Sequence, residues 1–348
     1  MSDLPTDHDL LEIFEGLGFV TCSANMALLL QRAYRAAEVS DITVLLEGET
    51  GTGKQILARA IHQLDQKRSR HPFITVHCST ISEALAESEL FGHHRGAFSG
   101  AVADRKGLFQ SAQHGTLFLD DINDLPLHLQ PKLLDVIQRG IVRPVGSDRE
   151  MSIDVRIVAA CNEPLEPLVR ENRFRSDLYH RLNVVKLSLP PLRERREDVK
   201  HLILALANRH RRLYEPIQNV DEDLLTLLQA RPFVGNVREL ENAVQRMLFL
   251  KKEGSSLGLS DWKSQLASDS QGPKEPDPFA EAASAMWTAI CQHGISFSQA
   301  LQETEKRILE TAIKIQGSTR REIARQLRTS ERTLYYKMRA HGLSHPVP

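Results

Sequence analysis

The 348-residue chain is poor in aromatic residues, which make up 5% of it. Its core must therefore be mostly aliphatic. It has only four cysteines, Cys22, Cys78, Cys161 and Cys291, and none lies in a C-x-x-C pair. That spacing indicates neither a zinc site nor a disulfide framework, and it suits buried free thiols in a reducing compartment. The polar, acidic start lacks the basic and apolar regions of a signal peptide. No apolar run approaches the roughly 20 residues that span a bilayer. A cytoplasmic protein that does not enter the membrane is expected. Charge of one sign is lacking too: the formal net charge is −1, so the chain is not basic throughout and charge must be read locally. The 41% hydrophobic and 26% charged content is ordinary for globular domains.

Between residues 19 and 191, short apolar runs alternate with helical patterns. The runs at 42–46, 73–76, 116–119, 155–160 and 184–187 suit strands buried on both faces of a parallel sheet. Helical patterns lie at 55–64 and 127–139. This alternation predicts an α/β fold with helices covering the sheet. After Pro190-Pro191 the pattern reads as helices only, over 199–214, 221–230 and 236–252. The expected organisation is a short lead at 1–18, an α/β subdomain at 19–191, a helical lid at 192–255, a linker at 256–280 and a small all-α domain at 281–348.

Gly48-Glu49-Thr50-Gly51-Thr52-Gly53-Lys54 follows one apolar run and opens a helical pattern. Strand, glycine spacing, lysine and helix together define a phosphate-binding loop. Its N–H groups turn inward around phosphates, and Lys54 reaches the terminal ones. Gln55 stands where a Ser or Thr hydroxyl usually holds Mg²⁺, so the metal must lean on another ligand. Asp120 is the candidate, at the end of the apolar run Thr116-Leu117-Phe118-Leu119. Asp121, beside it, can orient or deprotonate an attacking water.

Glu89-Leu90-Phe91-Gly92-His93-His94-Arg95-Gly96-Ala97-Phe98-Ser99-Gly100-Ala101 sets a lone aromatic among small and polar residues. On the residues alone this is either a contact loop or a turn with Phe98 tucked into the core. At this point the chain resembles bacterial sigma-54-dependent transcription activators, AAA+ ATPases with a Fis-type helix-turn-helix. The resemblance covers about 19–252 and the C-terminal block. It implies an AAA+ domain with ATP and Mg²⁺ as cofactors. Residues Gly96, Ala97, Phe98, Ser99, Gly100 and Ala101 resemble the family's sigma-54-contacting GAFTGA loop, with Ser99 in place of Thr.

Other matches follow from the same resemblance. His77 stands where the family has the Asn that links nucleotide state to the catalytic acid. Asp120-Asp121 replaces the usual Asp-Glu pair. Asn162 matches a γ-phosphate sensor. Arg175 and Arg181 match arginine fingers given to a neighbouring subunit, which implies a homo-oligomeric ring, a hexamer, or one shared with a related subunit. Without the family, these arginines read as solvated surface. Arg238, in Gly235-Asn236-Val237-Arg238-Glu239-Leu240, matches a second sensor, while Asn236 and Glu239 alone read as a helix cap.

Over residues 303–339 there are ten basic residues against five acidic, a local surplus in a chain near neutrality. Helices at 322–327 and 331–340, with Ile308, Leu309, Ala312, Ile313 and Ile315 on a preceding one, suit either a helix-turn-helix or a solvated helical hairpin. The former places Arg320, Arg321, Ser330, Arg332, Thr333, Tyr336 and Lys337 toward double-stranded DNA, an upstream activating sequence. Fewer than twenty residues precede the resemblance, against the about 40 that even small independent folds need. Control by expression or by a trans-acting regulatory protein is therefore expected. The function implied is an ATP-dependent activator that remodels sigma-54 RNA polymerase. The alternative is a DNA-binding regulator whose nucleotide domain is only a switch or oligomerisation module.

Overall fold

A computed structural model describes residues 5–80, 83–209, 216–251, 254–269, 296–316 and 320–343, with positions 283, 287 and 290. All five expected strands form and pair in parallel: β1 (Val44–Glu47), β2 (Phe73–His77), β3 (Thr116–Asp120), β4 (Arg156–Cys161) and β5 (Val185–Ser188). Their order across the sheet is β2-β3-β4-β1-β5. Side chains alternate between two packed faces. Leu45, Leu117, Leu119, Ile157 and Ala159 enter one core. Val44, Leu46, Phe118, Val158 and Ala160 enter the other. Burial on both faces explains why these runs are apolar without polar alternation. Each fully buried aliphatic side chain contributes about 1.5–3 kcal/mol.

The expected lead at 1–18 is not a lead. Residues Asp7–Gly16 form a helix whose start is closed by a reciprocal Thr6–Asp9 capping box. Its Leu10 and Phe14 are fully buried in the second core. The signal was visible as apolar residues at i, i+4, but the stretch is short.

The lid is built from helices Asp198–Arg209, Glu222–Ala230, Asn236–Leu250 and Leu259–Asp269. Two expectations fail here. A two-residue parallel strand pair, Asn219–Val220 with Ser256–Leu257, exists where only helices were expected; it is too short to show a period. The lid also runs past residue 255, because Leu257 and Trp262 complete its core around Leu206, Leu224 and Met247. The first part of the expected linker is thus lid. The rest of that linker, the helical pattern beyond residue 209, Lys252 and the break at 317–319 lie outside the described residues.

The chain divides into two units, 1–268 and 269–348. In the second, helices Phe297–Gln316, Arg320–Gln326 and Glu331–Ala340 enclose Leu309, Ile323, Ala324, Leu334 and Met338. Ile308, expected inside, is 52% exposed. One step along the helix turns about 100°, which carries it off the buried face that holds Leu309. Among the described residues no helix is long and apolar enough to cross a membrane.

Candidate functional site

The site lies at the carboxyl ends of β1, β3 and β4, where ligands of open parallel sheets bind. The loop leaves β1 beside β4, since the Gly48 N–H donates to the Cys161 carbonyl at 3.2 Å. It ends at Gly53, which precedes helix Lys54–Leu64. The unpaired N–H groups of that first turn form an anion-binding end. Lys54 is buried, and its Nζ donates to the carbonyls of Gly48 (2.5 Å) and Glu49 (3.1 Å). Burial depresses its pKa, while Asp120 and Asp121 oppose that shift. Among the described residues no carboxylate pairs with it directly. A buried ammonium held only by neutral carbonyls fits an incoming anion.

His77 and Asp120 are register partners at the ends of β2 and β3. Burial, then repulsion from Asp121, raises the Asp120 pKa. Two adjoining carboxylates of this kind are the donor set a hard divalent cation relieves. The arrangement fits Mg²⁺ on Asp120. His77 Nδ1 lies 3.3 Å from Asp120 Oδ2. It does not reach Asp121, whose Oδ2 instead accepts from the Ser79 hydroxyl at 3.3 Å. Asp121 itself adopts a left-handed conformation, φ 52°.

A cleft of about 220 Å³ joins these parts and is lined by Thr50, Gly51, Gly53, Lys54, Gln55, Asp120, Asp121 and Arg238, among others. Asn162 follows β4 and stands outside that lining. So do Arg175 and Arg181. Arg175 is exposed and forms a two-point pair with Asp177, at 3.0 and 2.7 Å. Arg181 donates to the Ile137 carbonyl at 3.3 Å. Neither arginine reaches the cleft of its own chain.

Sequence reasoning missed what holds the lid to the loop. Asn236, fully buried and at φ 53°, does not cap its helix; Gly235 occupies the cap position. Its Nδ2 donates to the Thr50 carbonyl (3.0 Å) and Glu49 Oε2 (3.2 Å), and its Oδ1 accepts from the Leu192 N–H (2.8 Å). Glu239 keeps half of the expected cap, accepting from the Gly235 N–H at 2.9 Å. The Val237 N–H donates to the Gly51 carbonyl, and Arg195 donates to that of Thr52. Arg193 forks onto Glu49 at 2.8 and 2.6 Å, holding that carboxyl down at about 2. The only sequence signal is that Asn236 lies two residues before Arg238.

Residues 96–101 form a short turn on the surface. The Gly96 N–H donates to the Ala101 carbonyl and the Ala101 N–H to that of Phe98. Phe98 is 39% exposed, neither fully free nor in the core. One edge of its ring meets His93, centroids 5.0 Å apart. His93 is buried and bonds Ser88 Oγ at 2.6 Å, so a fixed platform carries a partly exposed aromatic.

In the second unit, Ser330 caps the last helix by accepting from the Thr333 N–H at 3.0 Å. Arg320, Arg321, Arg332, Thr333 and Tyr336 are exposed. Arg332 lies over Tyr336 and Arg320 over Tyr335, a residue the sequence reading left out. Lys337 pairs with Glu305, so this unit already engages one candidate cation.

A strand-borne phosphate loop, a paired-acid strand end and a lid reaching over both define an AAA+ ATPase fold. A profile described as the Sigma-54 interaction domain matches residues 19–188, and one described as the AAA+ ATPase lid domain matches 193–278. Transcriptional regulatory protein GlrR of Escherichia coli (strain K12) is 40% identical over 316 residues, covering 90% of this chain and 68% of GlrR. Regulatory protein AtoC of the same organism is 37% identical over 309 residues, covering 88% of this chain and 64% of AtoC. The chain thus spans about two thirds of the length of these relatives. The crystal structure of NtrX from Brucella abortus in complex with ATP superposes with a TM-score of 0.63 at 28% identity, covering 93% of this chain and 69% of that one. The chain belongs to the family of sigma-54-dependent transcriptional regulators.

Proposed function

We propose that the protein is an ATP-dependent transcription activator that binds upstream DNA and remodels sigma-54 RNA polymerase so that the promoter opens. The observation that carries this reading is the convergence of Lys54, Asp120, Asp121 and Arg238 on one cleft, in a domain that also displays the Phe98 loop. NtrX, a structural relative, was solved with ATP. ATP is the nucleotide proposed here.

The loop N–H groups and Lys54 bind the phosphates. Asp120 would hold Mg²⁺, and the ion would supply charge stabilisation of the phosphates. Asp121 accepts a proton from the attacking water. Arg238 senses the nucleotide from the lid, and Asn162 senses the γ-phosphate side. Arg175 and Arg181, turned away from their own cleft, serve a neighbouring subunit in a ring. A nucleotide moves the Phe98 loop only through its differential affinity for two states of the domain, and the lid clasp on the phosphate loop ties lid to nucleotide. The exposed face of Glu331–Ala340, with Arg320 and Arg321, binds DNA.

The test is open-complex formation by sigma-54 polymerase on a promoter with an upstream site. Opening is expected with ATP and wild-type protein, and none with Asp120→Asn or without ATP. Opening by Asp120→Asn would exclude the hydrolytic mechanism. DNA binding without opening by wild type would point to the switch-type regulator.

A further inference from the structure

We propose that Ser79 is the positioning residue for Asp121, a role that the family resemblance gives to position 77. The inference rests on the hydrolytic reading above. The two acids at the end of β3 each receive one partner from the β2 side, His77 at the end of that strand and Ser79 in the turn beyond it. His77 meets Asp120, and Ser79 meets Asp121, both at 3.3 Å. His77 is thereby committed to the metal-holding acid, and the water-activating acid takes a hydroxyl two residues further on.

The turn that presents Ser79 is fixed on both sides. The Cys78 N–H donates to the Asp120 carbonyl at 2.9 Å, which carries the β2–β3 pairing one residue past the strand ends. Cys78 is buried, 4% exposed, and anchors the crest in the core. On the other side both the Thr80 N–H and its hydroxyl donate to the His77 carbonyl, each at 3.1 Å. Ser79 therefore stands at a set height above Asp121. The Asp121 backbone is held in turn, its N–H donating to Asp120 Oδ1 at 3.2 Å. With Oδ2 occupied by Ser79, Oδ1 is left to take a proton.

Asp121 lines the nucleotide cleft while bonded to Ser79. The bond is thus compatible with the working orientation. In hydrolysis, the water oxygen bonds to the γ-phosphorus as the bond to the β–γ bridging oxygen breaks, giving ADP and inorganic phosphate. The water proton passes to Asp121 Oδ1 and from there to solvent. A short carboxylate that rotates away from this water loses rate, not nucleotide affinity.

The test measures steady-state ATP hydrolysis by the full chain. Ser79→Ala is expected to lower kcat about tenfold and leave KM within about twofold. Ser79→Thr keeps the hydroxyl and is expected to retain kcat within about threefold. Ser79→Val has the shape of Thr without the donor and should match Ser79→Ala. In an Asp121→Asn background, Ser79→Ala should cause no further loss, since the serine acts through that carboxylate. Melting temperatures of all variants check the fold. An unchanged kcat in Ser79→Ala, equal losses in Thr and Val, or an undiminished loss in the Asp121→Asn background each overturns the assignment to Ser79 alone. A wild-type protein that binds ATP without turning it over overturns the hydrolytic reading and this role with it.

Discussion

The phosphate loop and the Phe98 loop both carry glycines at positive φ, and they use them for opposite ends. A Cβ added at Gly51, φ 80°, would stand 2.3 Å from the Gly235 carbonyl oxygen of the lid. One added at Gly96, φ 82°, would meet nothing within 4 Å. The first loop is bound to the lid by Asn236, Val237, Arg193 and Arg195. The second is closed mainly on itself and displays Phe98 and the 82%-exposed Val102. In one loop glycine permits close backbone packing of loop against lid. In the other it permits a change of shape at low cost, as the proposed contact role requires.

That contrast predicts unequal costs. Gly51→Ala combines a left-handed strain with a backbone overlap, and is expected to destabilise the domain by about 3 kcal/mol or more. Thermal melting should fall by about 6–12 °C. A shift as small as that of Gly96→Ala would break the contrast. Asn236→Ala removes four hydrogen bonds and leaves the buried Leu192 N–H unpaired. The expected cost is about 2–3 kcal/mol, with weakened ATP binding seen in a fluorescent-nucleotide titration. Gly96→Ala meets only the left-handed strain, about 1 kcal/mol, and should leave ATP binding unchanged. Its melting shift and its sigma-54 affinity together show whether the loop needs its freedom.

The smallest effect is electrostatic. Arg193, then Asn236, holds the Glu49 carboxyl at about 2, below its ordinary 4.5. A depressed carboxylate stabilises the fold fully above the ordinary value, and that stabilisation is lost as pH falls toward about 2. Glu49→Gln should lower the melting temperature at pH 7 by about 1–3 °C, as for an exposed pair. The gap to wild type should narrow as pH falls below 4.5.

The sheet was legible because strands buried on both faces leave continuous apolar runs, as at residues 116–119 and 155–160. The phosphate loop was legible because its chemistry fixes residue type and spacing together. An Asn three residues before Glu is the usual local signal of a cap, whereas the partners of Asn236, Thr50 and Glu49, are remote in sequence. Ser79 carried no signal at all, since one hydroxyl in a turn is ordinary until the fold sets it beside Asp121. The small strand pair at Val220 and Leu257 is two residues long, below the length at which a period exists.

The most direct measurement is capture of sigma-54 by the purified protein with an ATP transition-state analogue, with Phe98→Ala as the control. A stable complex formed by wild type and lost in Phe98→Ala, with nucleotide binding equal in both, is the predicted result. No complex with wild type, or one that Phe98→Ala forms equally well, would contradict the claim that nucleotide acts through this loop.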